Sequence, residues 1–258
     1  MRPDTRAGRE LRDRYTTADL RVFTAEETSR FVRDANCDPH SDAALAWELL
    51  YRLEPHLYDR LATAEQLHPD ILAWLPHTAD RIVEVAAGTG RLTLELLDRG
   101  QEVVAVEPAL PLREILSRKL AHADNGCRAR TLHGFFDHLP LPAEIADLVV
   151  ACSALTPSAE HGGDAGLSEM ERVCRPGGCV VVIWPNSIDW LADHGYEHVS
   201  FSGPMWVHFR SHSEAVELAE IFYPGAVEAI RQHRLRRVPF ELLGINPPRD
   251  LAFKTLAS

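Results

Sequence analysis

The stretch RIVEVAAGTGRLTLELLDRGQEVVAVEP, from Arg81 to Pro108, constrains this chain more than any other. Ile82, Val83 and Val85 make the short apolar run that a buried parallel strand needs. The chain then breaks into Ala86-Ala87-Gly88-Thr89-Gly90, small residues that let the backbone turn sharply and a ligand approach closely. Arg91 to Arg99 follows, with Leu92, Leu94, Leu96 and Leu97 among polar residues, and predicts a helix that Gly100 stops. Val103 to Val106 is the next apolar run, closed by Glu107. A carboxylate about 20 residues past a glycine turn is placed to take both hydroxyls of a ribose.

Further segments continue the alternation. Thr131 to Pro140, TLHGFFDHLP, reads as a third strand and its exit loop. Ala146 to Ser153, ADLVVACS, reads as a fourth strand. Leu167, Met170 and Val173 share one helical face, Arg175-Pro176-Gly177-Gly178 turns the chain, and an apolar strand runs to Trp184.

Together these segments resemble the class I S-adenosylmethionine-dependent methyltransferases, over roughly Arg81 to Trp184. The resemblance implies an α/β fold: a Rossmann-like, mostly parallel seven-stranded sheet with helices on both faces and a closing antiparallel hairpin. The acid ending the first strand is Glu84 here, followed by Ala86, Gly88 and Gly90; the ribose acid is Glu107, followed by Pro108. Ala86 stands where the family pattern has its first glycine, and the turn is expected to survive if its backbone keeps φ negative there. Phe135 stands where an acid often accepts from the adenine amine. Adenine contact is then expected from Phe135 and Phe136 with Asp137 as acceptor, or both rings are plain core. Cys152 and Ser153 fall at the fourth strand's tip, beside the expected cofactor, and Tyr58 resembles a tyrosine that touches its amino-acid end. The implied cofactor is S-adenosyl-L-methionine, with S-adenosyl-L-homocysteine as product. A nicotinamide dinucleotide is disfavoured. Reading G-x-G-x-x-G from Gly88 puts Thr93 at the third small position, and Glu84 would oppose two phosphates while favouring a cationic ligand end.

The chain has 258 residues, enough for one good core and an attached segment. The N-terminus lacks the apolar core of a signal peptide and no run suits a membrane span, so a cytoplasmic protein is expected. Five cysteines without a C-x-x-C pair argue against a disulfide framework or zinc site. A net charge of −11 argues against a nucleic-acid partner.

Residues 1–78 are expected as an N-terminal helical extension or lid, with 79–258 as the core and an acceptor-facing insert near 185–212. Residues 1 to about 20 read as frayed or weakly held. Thr24 to Glu27 reads as a capping box for a helix to about Arg33, Asn36 to Ser41 as a break with Ser41 capping the next helix, and Pro55 and Pro69 as helix starts. Ser213 is expected to cap a helix to Phe222. Pro239–Gly244 and Leu251–Leu256 are expected to pair as the closing hairpin.

The resemblance implies methyl transfer by in-line displacement, and the expected acceptor is a small organic molecule in an aromatic pocket. Trp47, Tyr51, Tyr58, Trp184, Trp190, Tyr196, Phe201, Trp206 and Phe209 are the candidate walls. His161 is the candidate base, if one is used, and no metal is expected. The acceptor, the atom methylated and the oligomeric state are not set by the sequence. A non-catalytic protein that binds the same cofactor as scaffold or regulator is the alternative reading.

Overall fold

Runs of valine and alanine in mid-chain become parallel strands buried on both faces. The computed structural model describes residues 9–32, 37–77, 79–123 and 128–257. Among them the strands, numbered in chain order, are β1 (Ala79–Val85), β2 (Gly100–Val106), β3 (Ala129–Leu132), β4 (Ala146–Cys152), β5 (Cys174–Ile183), β6 (Glu197–Ser200), β7 (Trp206–His208), β8 (Arg237–Pro239) and β9 (Asp250–Thr255). Seven form one sheet in the order β3-β2-β1-β4-β5-β9-β6. The pairings from β3 through β5 are parallel, and β9 lies antiparallel to both β5 and β6.

Val83, Val85, Val104, Val106, Val149 and Val182 share a core with Leu167, Met170 and Val173 of the helix Gly163–Val173. Strand alternation sends Ile82, Val103, Ala105, Leu148 and Val150 to the other face, where they too are fully buried. Each such valine contributes roughly 1.5–3 kcal/mol by leaving water.

Two compact units divide the chain. The first is this sheet and its helices, Leu67–Ser202 with the segment from Pro248 onward; the second combines the chain up to Gln66 with Gly203–Pro247. The expected division at 78/79 therefore moves to 66/67, and 203–247 leaves the core. The reason is packing: within the second unit Trp47 stacks on Phe222 with centroids 5.6 Å apart, and Arg60 Nε donates to Glu214 at 2.9 Å. Its helices are Ala25–Phe31, Ala43–Leu53, Pro55–Ala64, His212–Phe222, Val227–His233 and Phe240–Leu243, beside the antiparallel pair β7-β8. Arg52 is buried there between Glu27 and Glu48, donating to each, with its guanidinium over Phe23 and Phe31.

Several local expectations hold. Thr24 makes the capping box with Glu27, and Pro55 and Pro69 open helices. Others need correction. Arg9–Arg12 and Thr17–Val22 are ordered turns of helix, not frayed chain, because Leu11 and Tyr15 are buried. Asp42 caps the helix Ala43–Leu53 in place of Ser41, and Ser211 caps His212–Phe222 in place of Ser213. Only Thr93–Leu96 of the predicted helix 91–99 is α-helical. The antiparallel closing pair exists, but β9 pairs with β6; Phe240–Leu243 is a helical turn ended by Gly244 at φ 71°. The stretch 185–212 is not one insert, since it supplies β6 to the main sheet before crossing into the second unit. Arg33, Asn36 and residues 1–8 lie outside the described residues.

Candidate functional site

The C-terminal tips of β1 and β2 carry the chemistry. Glu84, one residue from the end of β1, is 2% exposed, and its Oε2 accepts from Thr93 Oγ1 at 2.5 Å. Desolvation pushes its carboxyl up to about 8, with Glu107 adding repulsion, while the Thr93 hydrogen bond and the Arg91 charge pull the other way. Thr93 thus has a purpose that the missing third glycine only hinted at: its hydroxyl steadies the buried acid.

Glu107, just past β2, is 5% exposed. Its Oε2 accepts from Gly88 N–H and its Oε1 from Ala109 N–H, both at 2.8 Å. The side chain is therefore clamped to the turn on one side and to the start of the helix Leu110–Ala123 on the other. A carboxylate offers about four lone-pair sites. Lys119 donates to Thr89 O at 2.9 Å and ties the turn to the same helix.

The turn itself is left-handed three times over, at Ala86 (φ 55°), Gly88 (φ 57°) and Gly90 (φ 95°). The condition of negative φ at Ala86 is not met, yet the turn forms: with φ positive the chain leaves β1 and Ala87 N–H donates to Val106 O at 3.1 Å. The methyl group costs about 1 kcal/mol or slightly more there. A Cβ at Gly90 would lie 2.5 Å from Leu116 Cδ1, so that position is closed by packing as well as by φ.

Thr89 is 2% exposed, and its Oγ1 is buried with no hydrogen-bond partner in the protein. Together with a buried acid at each of two neighbouring strand tips and a turn of positive φ, it fits a polar nucleoside with a cationic amino-acid end. In such a fit Glu107 holds the ribose and Glu84 the ammonium.

The remaining sequence candidates divide. Pro108 follows Glu107, and Arg113 donates to the backbone oxygens of both. Phe135 is buried at the exit of β3, its ring 5.3 Å from His133. Phe136 packs into the sheet core, where Gly162 and Gly166 leave it room. Asp137 is exposed. Cys152 ends β4, and Ser153 follows it at φ 56°. His161 closes a short turn, Ala159–His161, after β4. Tyr58 lies in the second unit, ringed by Tyr51 and Trp47. Among the described residues no group of three or more His, Cys, Asp or Glu is gathered as for a metal ion, and no helix is long and apolar enough to cross a membrane.

Arg91 was not among the sequence candidates. It leaves the turn directly after Gly90, places Nη2 at 3.5 Å from Cys152 Sγ and sets its guanidinium 5.5 Å from the Trp184 ring centroid. The available signal was its position: a cation directly after the glycine turn.

Residues 82–178 match a family model described as a methyltransferase domain. An uncharacterised methyltransferase of Mycobacterium tuberculosis is 32% identical over 133 residues, 49% of this chain and 50% of that protein. One from Geobacillus kaustophilus is 33% identical over 112 residues, 43% of this chain and 50% of that protein. The chain spans about half the length of the curated relatives it matches. A solved structure named as a methyltransferase from an antibiotic biosynthesis pathway of Anabaena variabilis shares the fold. It has a TM-score of 0.50 at 16% identity, covering 75% of this chain and all of that one. Residues 82–178 are thus similar to a methyltransferase domain, and they hold the two strand-tip acids and the turn between them.

Proposed function

We propose that this chain transfers a methyl group from S-adenosyl-L-methionine to a small organic molecule. One observation carries the reading: Glu84 and Glu107 stand buried at neighbouring strand tips, on either side of the turn from Ala86 to Gly90. When bound, the cofactor supplies a methyl group already activated by its sulfonium. The protein's part is then to hold, orient and shield. Glu107 fixes the ribose through oxygens already oriented by Gly88 and Ala109. Glu84 takes the ammonium and exchanges a desolvated acid for an ion pair. No general base is required unless the acceptor must lose a proton, and His161 is the residue on the loop after β4 available for that.

The acceptor is assigned by chemistry. A small organic acceptor is proposed in preference to a charged polymer. The net charge of −11 favours the same choice over nucleic acid.

Titration calorimetry with S-adenosylhomocysteine tests the cofactor site. Glu107→Ala should weaken binding by several kcal/mol at most, at roughly 1.5–3 per charge-assisted bond. Because Glu107 also braces the turn, circular dichroism must show that the variant is folded. Unchanged affinity would sink the assignment. Labelled methyl transfer to a panel of phenols, amines and carboxylic acids separates an enzyme from a protein that only binds the nucleoside.

A further inference from the structure

We propose that Arg237 and His208, opposed on the exposed face of the β7-β8 ribbon, bind a small phosphate, either the free ion or a monoester. The inference concerns the second unit alone and does not depend on the methyltransferase reading.

The register builds the site. His208 stands directly opposite Arg237, and Trp206 opposite Pro239. Opposed residues of an antiparallel pair share a face, as do residues two apart on one strand. Trp206, His208, Arg237 and Pro239 therefore lie on one side of the ribbon, and the fully buried Val207 and Val238 on the other. His208 and Arg237 are exposed, and Trp206 is half-buried. The Arg237 guanidinium lies over the Trp206 ring, 3.9 Å from its centroid. Such a stack engages the flat face of the group and leaves the N–H edge to other partners.

The charge pattern is a second, independent observation. Aspartates and glutamates number 38 against 27 lysines and arginines, so carboxylates are in excess. Neighbouring arginines use them: Arg210 pairs with Glu214, and Arg231 with Glu220. Arg236 and Arg237 have no carboxylate partner among the described residues. The end of the helix Val227–His233 accounts for Arg231, His233 and Arg234, because cations favour a helix C-terminus. Arg236 and Arg237 lie beyond that last turn, where the effect has faded.

Opposing His208 to Arg237 does not help the ribbon. Two groups able to carry the same charge face each other, an arrangement that costs free energy. Burial first, and then the Arg237 charge, hold the His208 imidazole below the usual histidine range. An anion between the two reverses this. Arg237 then donates along its edge, and the imidazole is favoured in its protonated, donating form. A phosphate suits the pair better than a carboxylate. As a monoester it carries close to two negative charges at neutral pH and three acceptor oxygens, enough for both groups with Arg236 next in the chain.

The rest of the molecule limits the ligand's size. At physiological salt, exposed charges are largely screened beyond about 8 Å. A small anion on the ribbon therefore meets these cations alone. A nucleic-acid strand or an anionic bilayer would meet a wider surface of a molecule whose net charge is −11.

The His208 ring resonances report this site without any assay of turnover. Inorganic phosphate and glycerol 3-phosphate are titrated onto the full chain, each against sodium chloride at matched ionic strength. Phosphate should raise the His208 titration midpoint saturably, and chloride should not. A response to both ligands shows that an ester is accepted; a response to inorganic phosphate alone assigns the free ion. In Arg237→Gln, shown by circular dichroism to be folded, affinity should fall about tenfold or more. Arg237→Lys, which keeps the charge without the fork, should fall between, and Arg231→Gln should bind as the parent does. No saturable effect of either phosphate, or equal affinity in the parent and Arg237→Gln, would overturn the proposal. So would an equal loss in Arg231→Gln, which would mean a diffuse basic field and no site. Binding of phosphatidic acid vesicles or a single-stranded oligonucleotide through Arg237, with no response to the small phosphates, would assign the ribbon to a bilayer or a polymer and overturn it too.

Discussion

Glu84 shows how a single residue can set the pH response of a site. In the cofactor-free protein, burial keeps a proton on it up to about pH 8, whereas the unfolded chain loses that proton near 4.5. Between those values unfolding releases a proton, so this group's stabilising contribution is complete below the unfolded value, declines as pH rises through the window, and is gone above it. Glu84→Gln keeps an oxygen for the Thr93 hydroxyl and removes the titration. Thermal unfolding of the two proteins from about pH 5 to about pH 8.5 should show the parent losing stability relative to the variant. Nucleoside binding should respond in the opposite sense. Taking an ammonium requires the ionised acid, so affinity for S-adenosylhomocysteine should rise with pH to about 8, by at most tenfold per unit. In Glu84→Gln that rise should disappear and affinity should be lower. Ala86 gives a second residue-scale prediction. At φ 55° its Cβ opposes the backbone, so Ala86→Gly should stabilise the protein by about 1 kcal/mol or less, read from the denaturant midpoint. A loss of stability there would show that the methyl packs usefully.

At the scale of elements, the β1-turn-β2 unit was readable because each part has a strong local signal: an apolar run, small residues, an acid at the right distance. The proline starts at Pro55 and Pro69 were readable for the same reason. The edge strand β6 was not, because Glu-His-Val-Ser carries little apolar surface, as an edge exposed to water requires. Phe240–Leu243 was misread as strand because a short apolar run does not distinguish a strand from a helical turn; Gly244 as a left-handed cap was the neglected cue. The positions of Glu84 and Glu107 at strand tips and of Gly88 and Gly90 in the turn were legible, whereas the contacts of Arg91 and of the Thr93 hydroxyl were not, since the first arises only when β4 meets β1 and the second only when the turn folds Thr93 back onto β1. The turn predicts unequal glycines. Gly90→Ala drives a Cβ into Leu116 at φ 95°, and should destabilise the fold by about 1–3 kcal/mol from overpacking, with backbone strain added. Gly88→Ala asks only for the conformation that Ala86 already holds, so it should cost about 1 kcal/mol while reducing nucleoside binding. Urea melts paired with calorimetry give both numbers, and equal destabilisation at the two positions would contradict this account.

At the scale of the whole molecule, the second unit is assembled from two separated stretches of sequence. Residues 1–52 look removable as an N-terminal extension, but they supply Leu45, Leu49, Leu50 and Trp47 to a core that Phe222 completes. Deleting them should therefore unfold 203–247 too, leaving the seven-stranded sheet in place. Hydrogen exchange should then be fast throughout 203–247 and slow in β1, β2, β4 and β5, with weakened nucleoside binding and no turnover. Protection of 203–247 in the truncated protein would show that it stands without the first 52 residues. The sheet, by contrast, is nearly contiguous, and the family model matches residues 82–178, from β1 into β5. This discontinuity has an evolutionary consequence. Arg60 is bonded to Glu214 across 154 residues of chain, and Tyr223 donates its hydroxyl to Glu65 across 158. A change on one stretch must be answered on the other, so the two are expected to drift together and to be inherited as a pair. Recombination with a breakpoint inside the sheet would split that pair, and a chimera carrying only one half would arrive without its complement.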